Sequence, residues 1–552
     1  MKRTVVIPAA GLGSRLNEFT KNYNKAMCTL GPKPVISYII EKFDVTDEII
    51  VLLGYKGDLL KQVLKICYPD RNIKFVNVDV YEGPGSGLGY SLSCAKDLLQ
   101  KPFLFWSNDS LIQDDINCFD YEHNFMVLSK FDRENADSYR HARIGKHEVQ
   151  AILAKGDYDV NGIKTKPYIG ISYIKDYKQF WKAQEDNFEI FVNAGESAGL
   201  NNLNDIRYYI TDTWLDTGNK EKLIAAKEEY SKKMEATILE KPDEAIWFLD
   251  DRVVKFHIDP KFIEGRVKRF TTFVNQAMEE RGITIPELLS HDKNVYAYRL
   301  ADGKVMSKEV NPASFLNFIV SFFESVDERE VPYEKKLEIY NDFYKNKTLQ
   351  RIEKYCKEHE DLDSRCVING LDCYSAKTII EDMIDWDSIA NKAIITDNYH
   401  GDFHLENILV NEVDGKEQFV MLDWRQNFGK TFEGDIYYDI AKMWHSLIVN
   451  HGMVKDNLFH CEVKANGEIE LDIHRTFIDT ECEDMLKHWL NISSYDAVHA
   501  QFLTALIFLN IAACHTYPYC KFLFYLGKYL MNKFIVAYPQ YLKPDVLKLQ
   551  EN

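Results

Sequence analysis

Three absences narrow the reading before any motif is considered. The 552 residues contain no Cys-x-x-Cys pair and no Cys/His cluster at zinc spacing; the 11 cysteines are scattered from Cys28 to Cys520. That distribution argues against a disulfide framework or a zinc module and fits reduced thiols in a cytoplasmic protein. Positive charge is not in surplus: 67 Lys and Arg against 85 Asp and Glu leave a formal charge of −18. A general nucleic-acid binder needs clustered cations against phosphate backbones, so no nucleic-acid partner is expected. No apolar run is long enough to cross a bilayer. The longest, Phe502 to Cys514, contains Thr504 and Asn510 and is expected to be a buried helix, so no membrane partner is expected either. The opening Met-Lys-Arg and its short apolar run lead straight into a glycine loop, which reads as a first buried strand rather than a signal peptide. Internal repeats and low-complexity tracts are missing too.

What is present is globular composition, 46% hydrophobic and 28% charged, in a chain long enough for two or three domains. The first half alternates strands and helices. Strands are expected at Thr4–Pro8, Glu48–Leu53, Ile73–Val78 and Phe103–Ser107, with helices at Val35–Lys42, Leu59–Ile66 and Ser91–Leu99. Near-continuous apolar strands between helices imply an α/β domain with a mostly parallel sheet covered on both faces. A charged, helix-forming stretch from Asp216 to Glu240 ends at Glu240-Lys-Pro-Asp, which places a boundary between residues 1–240 and 241–552. The second half opens with a strand pair, Ala245–Leu249 and Val253–His257. It then turns helical, interrupted by a hairpin of Ile408–Val413 and Phe419–Leu422 around Asp414-Gly415, the order of an α+β domain.

The first chemical motif is Ala9-Ala10-Gly11-Leu12-Gly13-Ser14-Arg15, directly after the first strand. Glycines there let successive N–H groups cradle phosphates. The spacing is neither the dinucleotide fingerprint, since Leu16 fills the third glycine position, nor the Walker loop. Arg15 and Lys25 add two cations beside a polyanion. Asn108-Asp109-Ser110 ends a buried strand, where open α/β sheets bind ligands, and Asp109 is placed to hold Mg²⁺ against a triphosphate. Glu82-Gly83-Pro84-Gly85-Ser86-Gly87-Leu88-Gly89 is too glycine-dense for a strand and reads as a loop for a nucleobase; Asp216 of Trp214-Leu215-Asp216-Thr217-Gly218 is a second candidate metal ligand.

These residues, with Asn24-Lys25-Ala26-Met27 and Gly31-Pro32-Lys33-Pro34, resemble the nucleotidyltransferases that activate sugar 1-phosphates, phosphocholine and related phosphates. The resemblance covers about Met1 to Ala236. It implies that Ala10, Gly11, Gly13, Ser14, Glu82 and Gly87 bind the nucleotide, and that Arg15 and Lys25 are catalytic. Asp109 and Asp216 would hold Mg²⁺, and Lys155 would grip the acceptor phosphate. The family's acid before that lysine is Ala154 here. The implied reaction is attack by an acceptor phosphate on the α-phosphorus of an NTP, CTP or UTP, with release of pyrophosphate.

The sharpest local signal is His400-Gly401-Asp402-Phe403-His404-Leu405-Glu406-Asn407, followed after a hairpin by Leu422-Asp423-Trp424. Asp402 can accept a substrate hydroxyl proton, and Asn407 and Asp423, on opposite arms of one hairpin, can converge on Mg²⁺. Gly401 and Trp424, together with Gly434-Asp435-Ile436-Tyr437-Tyr438-Asp439-Ile440-Ala441-Lys442, resemble the aminoglycoside phosphotransferase and choline kinase group. That resemblance implies a bilobal protein-kinase-like domain. Asp402 would be catalytic, Asn407 and Asp423 metal-binding, Asp435 and Asp439 structural, and Lys255 would hold ATP, with Glu264 or Glu279 as its acidic partner. His404 is either catalytic or a packing residue. Trp424, Tyr437, Tyr438 and Trp444 are either core or a cage for a quaternary ammonium.

Together the motifs imply a bifunctional transferase. One site would phosphorylate a small hydroxyl compound, a sugar in the leading reading, with ATP. The other would couple the phosphate to an NTP, giving an activated nucleotide for a surface glycan or capsule. A choline or ethanolamine-type kinase joined to a cytidylyltransferase is the alternative, and a domain kept only for binding or regulation is a third reading.

Overall fold

Strands Thr4–Ala9, Glu48–Leu53 and Phe103–Trp106 are built almost wholly from apolar side chains, and nearly all of them are buried. Alternation splits those side chains between two cores. Val5, Ile7, Ile49, Val51, Leu104 and Trp106 enter one, while Val6, Ile50, Leu52, Phe103 and Phe105 enter the other. A sheet buried on both faces follows from that pattern.

The architecture, a computed structural model, describes residues 2–130, 132, 136–231, 243–309 and 311–550. The chain divides into two compact units, Met1–Ile263 with Leu288–Leu300, and Glu264–Glu287 with Ala301–Asn552. The boundary expected at Glu240 lies outside the described residues.

Among the described residues the first unit contains a nine-stranded sheet. Its main path runs Val149–Ile152, His141–Ile144, Thr165–Ile174, Phe103–Trp106, Thr4–Ala9, Glu48–Leu53, Ile73–Asn77. Thr4–Ala9 pairs in parallel with both Glu48–Leu53 and Phe103–Trp106, whereas Thr165–Ile174 runs antiparallel to Phe103–Trp106. Asn124–Ser129 joins Thr165–Ile174 and, in parallel, Ile206–Thr211. The parallel half delivers the ends of Thr4–Ala9 and Phe103–Trp106 side by side, and both loops that leave there carry motif residues.

Two elements differ from the sequence reading for local reasons. The helix expected over Val35–Lys42 shrinks to Ser37–Ile40, because the amides of Val35 and Ile36 are spent on the carbonyls of Cys28 and Ala26. The helix expected from Ser91 starts earlier, at Leu88, and ends at Cys94 before a 3₁₀ turn, Lys96–Leu99. Its N-terminal glycines press against helix Phe188–Ala194: a Cβ on Gly89 would stand 1.9 Å from the Phe191 carbonyl oxygen, and one on Gly87 2.4 Å from that of Val192. Gly89→Ala is therefore expected to cost about 2 kcal/mol or more, read as a fall in the thermal unfolding midpoint. An unchanged midpoint would show that the two helices can separate freely.

The strand pair expected to open the second domain, observed as Glu244–Leu249 and Arg252–His257, falls in the first unit. With Val295–Arg299 and Leu288–Asp292 it forms a four-stranded antiparallel sheet, and its Trp247, Val254 and Phe256 enter the core that holds Val5 and Val51.

The second unit is mainly helical. Helix Ile436–Ile448 packs on Ala497–Ala512, which packs in turn on Tyr519–Ala537. Ala497–Ala512 covers most of the apolar run noted in the sequence and is buried nearly all round. Among the described residues no helix is long and apolar enough to cross a membrane. The expected hairpin is present as Ile408–Val413 and Lys416–Met421, with Asp414 and Gly415 both at positive φ. All 11 cysteines are free thiols.

Candidate active sites

In the first unit the glycine loop leaves strand Thr4–Ala9 and turns at Gly13, whose φ is +67° and whose absent Cβ would meet Thr20 at 2.9 Å and Lys25 at 3.2 Å. Only glycine suits that position. Buried Asn24 then fixes the Lys25 turn: its amide donates to the carbonyls of Ala9 (2.8 Å) and Tyr55 (2.7 Å), and its oxygen accepts from the Ala26 N–H. These elements line a cavity of about 380 Å³ with Ala10, Gly11, Gly13, Ser14, Arg15, Lys25, Gly87 and Asp109. Ser86 and Leu88 of the expected nucleobase loop, Gly218 beside Asp216, and Pro8, Tyr81, Ser91 and Ser107, to which the sequence gave no role, complete the lining.

Electrostatics at Asp109 are set by its neighbours. Oδ2 accepts from the Lys25 ammonium at 2.9 Å and Oδ1 from the Ser107 hydroxyl at 2.5 Å. Burial opposes the carboxylate's charge, but Lys25, Ser107 and Arg15 outweigh it and hold the acid lowered to about 2. Strand pairing brings the second acid alongside, Asp216 opposite Ser110 and Leu215 opposite Leu111. Oδ2 of Asp216 accepts from the Tyr139 hydroxyl at 2.6 Å and from the Lys222 ammonium at 2.8 Å, while Oδ1 accepts from the Gly218 N–H at 2.7 Å.

The two acids fit a magnesium ion. A Cβ on Gly218 would stand 2.9 Å from Asp216 Oδ1 and 3.2 Å from Asp109 Oδ2, so the missing side chain leaves a gap between two carboxylate oxygens. Among the described residues no group of three or more His, Cys, Asp or Glu gathers around a common point. Two carboxylates completed by phosphate and water oxygens is a normal Mg²⁺ shell.

Two expected residues lie elsewhere. Glu82 and Lys155 are both exposed and do not line the cavity. The glycine density around Gly87 and Gly89, read as room for a base, answers largely to helix packing, although Gly87 also faces the cavity.

A buried acid not noticed in the sequence, Glu196, opens the short helix Glu196–Leu200. It is 8% exposed, and burial raises its carboxyl to about 7, with Arg140 offsetting only part of the cost. A folded-state value above the unfolded one means stability falls as pH rises through that interval. Glu196→Gln should thus be more stable than the parent at pH 8, by up to about 3 kcal/mol, with most of the gain gone at pH 4.5. Thermal unfolding at the two pH values checks this, and a gain that is larger in acid refutes it.

In the second unit Asp439 shapes the loop that bears Asp402. Its two oxygens accept the N–H groups of His400 (2.5 Å) and Gly401 (2.7 Å), and burial raises its carboxyl to about 7. Gly401 has φ +81°, and a Cβ there would meet the Arg425 side chain at 2.8 Å, which explains the glycine. His400 is fully buried, pushed down to about 3 by that burial, and its Nε2 faces the Leu422 carbonyl at 2.8 Å. Asn407 accepts the Leu422 N–H on its backbone oxygen (2.8 Å), so Asn407 and Asp423 sit at the joined base of the hairpin. One amide and one carboxylate there are oxygen donors suited to Mg²⁺; Asp423 Oδ1 is 3.2 Å from Arg266.

Asp402 itself is paired. Oδ1 lies 3.0 Å from the Lys442 ammonium and Oδ2 3.5 Å from His404 Nε2. Burial opposes its charge, yet Lys442 and His404 hold the carboxyl well below the usual range. Burial also works against charge on His404, but Asp402 and Glu406 raise the imidazole to about 9. Lys442, 8% exposed on helix Ile436–Ile448, closes the motif quoted from the sequence but was given no role there. Its signal was a lysine one turn after Asp439 on the same helix. Asp435 accepts from the Tyr340 and Tyr344 hydroxyls and caps that helix at the Tyr437 N–H. Trp424, Tyr437, Tyr438 and Trp444 all belong to the buried core; the Trp444 indole donates to Glu483 and the Tyr437 hydroxyl accepts the Asp496 N–H, so they form no ammonium cage. Lys255 lies in the first unit, on strand Arg252–His257, with its ammonium 5.9 Å from the Tyr298 ring centroid.

The N-terminal region is similar to known nucleotidyltransferases. It is 33% identical over 115 residues to the bifunctional protein GlmU of Methanocaldococcus jannaschii, which is 21% of this chain and 26% of that protein. It is 25% identical over 191 residues to the UTP–glucose-1-phosphate uridylyltransferase of Escherichia coli K12, 30% of this chain and 60% of that one. The matched stretch thus spans between about a quarter and three-fifths of these relatives. Among solved structures, the CTP:phosphocholine cytidylyltransferase of Streptococcus pneumoniae covers 42% of this chain and 99% of its own at 19% identity, with a TM-score of 0.34. No family model matches the chain.

Proposed function

We propose that the protein is a bifunctional enzyme. Its second unit phosphorylates a small hydroxyl compound with ATP. Its first unit couples the resulting phosphate to CTP or UTP, releases pyrophosphate and yields an activated nucleotide such as an NDP-sugar. The observation that carries the reading is the cavity that gathers the glycine loop, Arg15, Lys25 and Asp109, with Asp216 beside Gly218 at its edge.

In the first unit the N–H groups of the glycine loop and the cations Arg15 and Lys25 would hold the triphosphate. The acceptor's phosphate oxygen is already anionic, so attack on the α-phosphorus needs no base, and holding two polyanions together is the main task. Mg²⁺, held by Asp109 and Asp216, would supply charge neutralisation on the phosphates. In the second unit Asp402 would orient the substrate hydroxyl and accept its proton as the γ-phosphoryl group transfers. Asn407 and Asp423 would hold that site's Mg²⁺. Lys155 is the acceptor-phosphate residue that the family resemblance implies.

The test is a reaction of the full chain with ATP, Mg²⁺, CTP or UTP, and a panel of sugars and amino alcohols. Pyrophosphate release should require both a hydroxyl substrate and ATP, or else a supplied phosphomonoester in their place. Release that needs neither would defeat the two-step scheme. An amino alcohol consumed in preference to every sugar would turn the reading to a choline or ethanolamine-type substrate.

A further inference from the structure

The cavity of the first unit presents Arg15 and Lys25 to a triphosphate, but the attacking phosphate is a second polyanion and needs a cation of its own. Lys155 stands exposed in the turn after strand Val149–Ile152 and does not line the cavity. A different lysine stands at the carboxylate pair. Lys222 lies in the first turn of helix Lys220–Ser231, where the Asn219 side chain accepts its N–H at 2.9 Å. Its ammonium is 2.8 Å from Asp216 Oδ2, bonds the Tyr139 hydroxyl and lies 4.4 Å from the centre of the Tyr139 ring. The Tyr139 hydroxyl donates to the same Oδ2 at 2.6 Å, and the Trp214 ring packs edge-on against Tyr139 at 4.9 Å, which fixes its direction. The other oxygen of Asp216 is taken by the N–H of Gly218, a cavity-lining residue. Neither Lys222 nor Tyr139 lines the cavity itself, but an ammonium and a hydroxyl converge on Asp216, whose other oxygen is bonded to the cavity-lining Gly218. The Lys222 side chain keeps 23% of its surface exposed, enough to meet a ligand.

We infer that Lys222 and Tyr139 form the subsite for the acceptor's phosphate, a phosphomonoester, with the Lys222 ammonium shared between Asp216 and the incoming oxygens. The inference rests on the nucleotidyl-transfer reading of the first unit. A phosphate oxygen of the acceptor forms a new bond to the α-phosphorus. The α–β P–O bond breaks, and its electron pair departs on pyrophosphate. No proton moves at the attacking oxygen. Lys222 offsets the charge the acceptor brings, and Tyr139 keeps the ammonium from collapsing wholly onto Asp216.

The experiment is calorimetric titration of the full chain, first with Mg²⁺ and the α,β-methylene analogues of CTP and UTP. Glucose 1-phosphate, phosphocholine and inorganic phosphate are then titrated into the analogue-bound protein. The parent should bind at least one of the three. Lys222→Met should weaken that probe about tenfold or more, Lys222→Arg should recover most of the loss, and analogue affinity should move far less. Tyr139→Phe keeps the ring in place and should weaken the same probe to a smaller degree, which serves if Lys222→Met is unstable. Equal losses for analogue and probe would make Lys222 a brace for Asp216 and overturn the inference. So would a larger effect from Lys155→Met, or no binding of any probe to protein that binds an analogue. Failure of both analogues to bind sinks the nucleotidyl-transfer reading itself, a distinguishable result.

Discussion

Asp109→Asn is expected to lower pyrophosphate release from CTP or UTP by roughly 10³-fold while leaving ATP-dependent phosphorylation of the hydroxyl substrate intact. The substitution keeps shape and a carbonyl that can still accept from Ser107, but it removes the charge. In the parent, Lys25 at 2.9 Å and Ser107 at 2.5 Å hold the carboxyl lowered to about 2, so it is anionic throughout the working pH range. An amide there loses its metal affinity and turns a donor or a neutral oxygen toward Lys25, which is then released to pair elsewhere. Because the folded value lies below the unfolded one, the parent's ionised Asp109 stabilises the fold above about pH 4 and ceases to do so as pH falls through about 2. The variant should therefore be somewhat less stable at neutral pH, and the rate must be read on protein shown to be folded by thermal unfolding. Initial-rate pyrophosphate release with saturating Mg²⁺ decides the matter. A folded variant that retains a tenth of the parent rate would remove Asp109 from the chemistry and with it the reading of the cavity.

How much of this was legible in the sequence depended on whether a property is carried by neighbours in the chain or by neighbours in space. The central strands were readable because a sheet buried on both faces writes itself as uninterrupted apolar runs, and Glu48–Leu53 was located to the residue. The glycine loop and Asp109 could be read together because each follows the end of one of two paired parallel strands, and such strand ends meet at one edge, whereas Lys25 is brought to the same cavity by the hydrogen bonds of Asn24. Gly89 illustrates the opposite case: its reason is the carbonyl of Phe191, about a hundred residues away, so local context assigned it to a loop. The strand pair Glu244–Leu249 and Arg252–His257 was recognised as strands but assigned to the second half, because no local feature announces that Trp247 and Phe256 share a core with Val5. Lys222 and Lys442 were given no role for the same reason. Each looks like an ordinary helical lysine until the fold sets it within about 3 Å of a motif carboxylate.

Asp402→Asn should remove ATP-dependent phosphorylation by roughly 10³-fold and leave pyrophosphate release with a supplied phosphomonoester unaffected. The loop gives the side chain a defined direction: Asp439 holds the amides of His400 and Gly401, and His400 is tied to Leu422 across the hairpin base. Its pairing with Lys442 and His404 keeps Asp402 charged and fixed, which suits a group that orients a hydroxyl through a loose phosphoryl transfer. The same pairing complicates a single substitution. Taking away the carboxylate leaves the ammonium of Lys442 buried without its counter-charge, a change that typically costs several kcal/mol. A lost rate would then have two explanations, chemistry or unfolding. The double variant Asp402→Asn with Lys442→Met separates them, because it removes both charges and relieves the buried ammonium. Its unfolding midpoint should return toward that of the parent while its phosphorylation rate stays at the level of the single variant. If the rate returned with the stability, Asp402 would be a structural acid, and the motif from His400 to Asn407 would mark a loop that does not carry out the proposed phosphorylation.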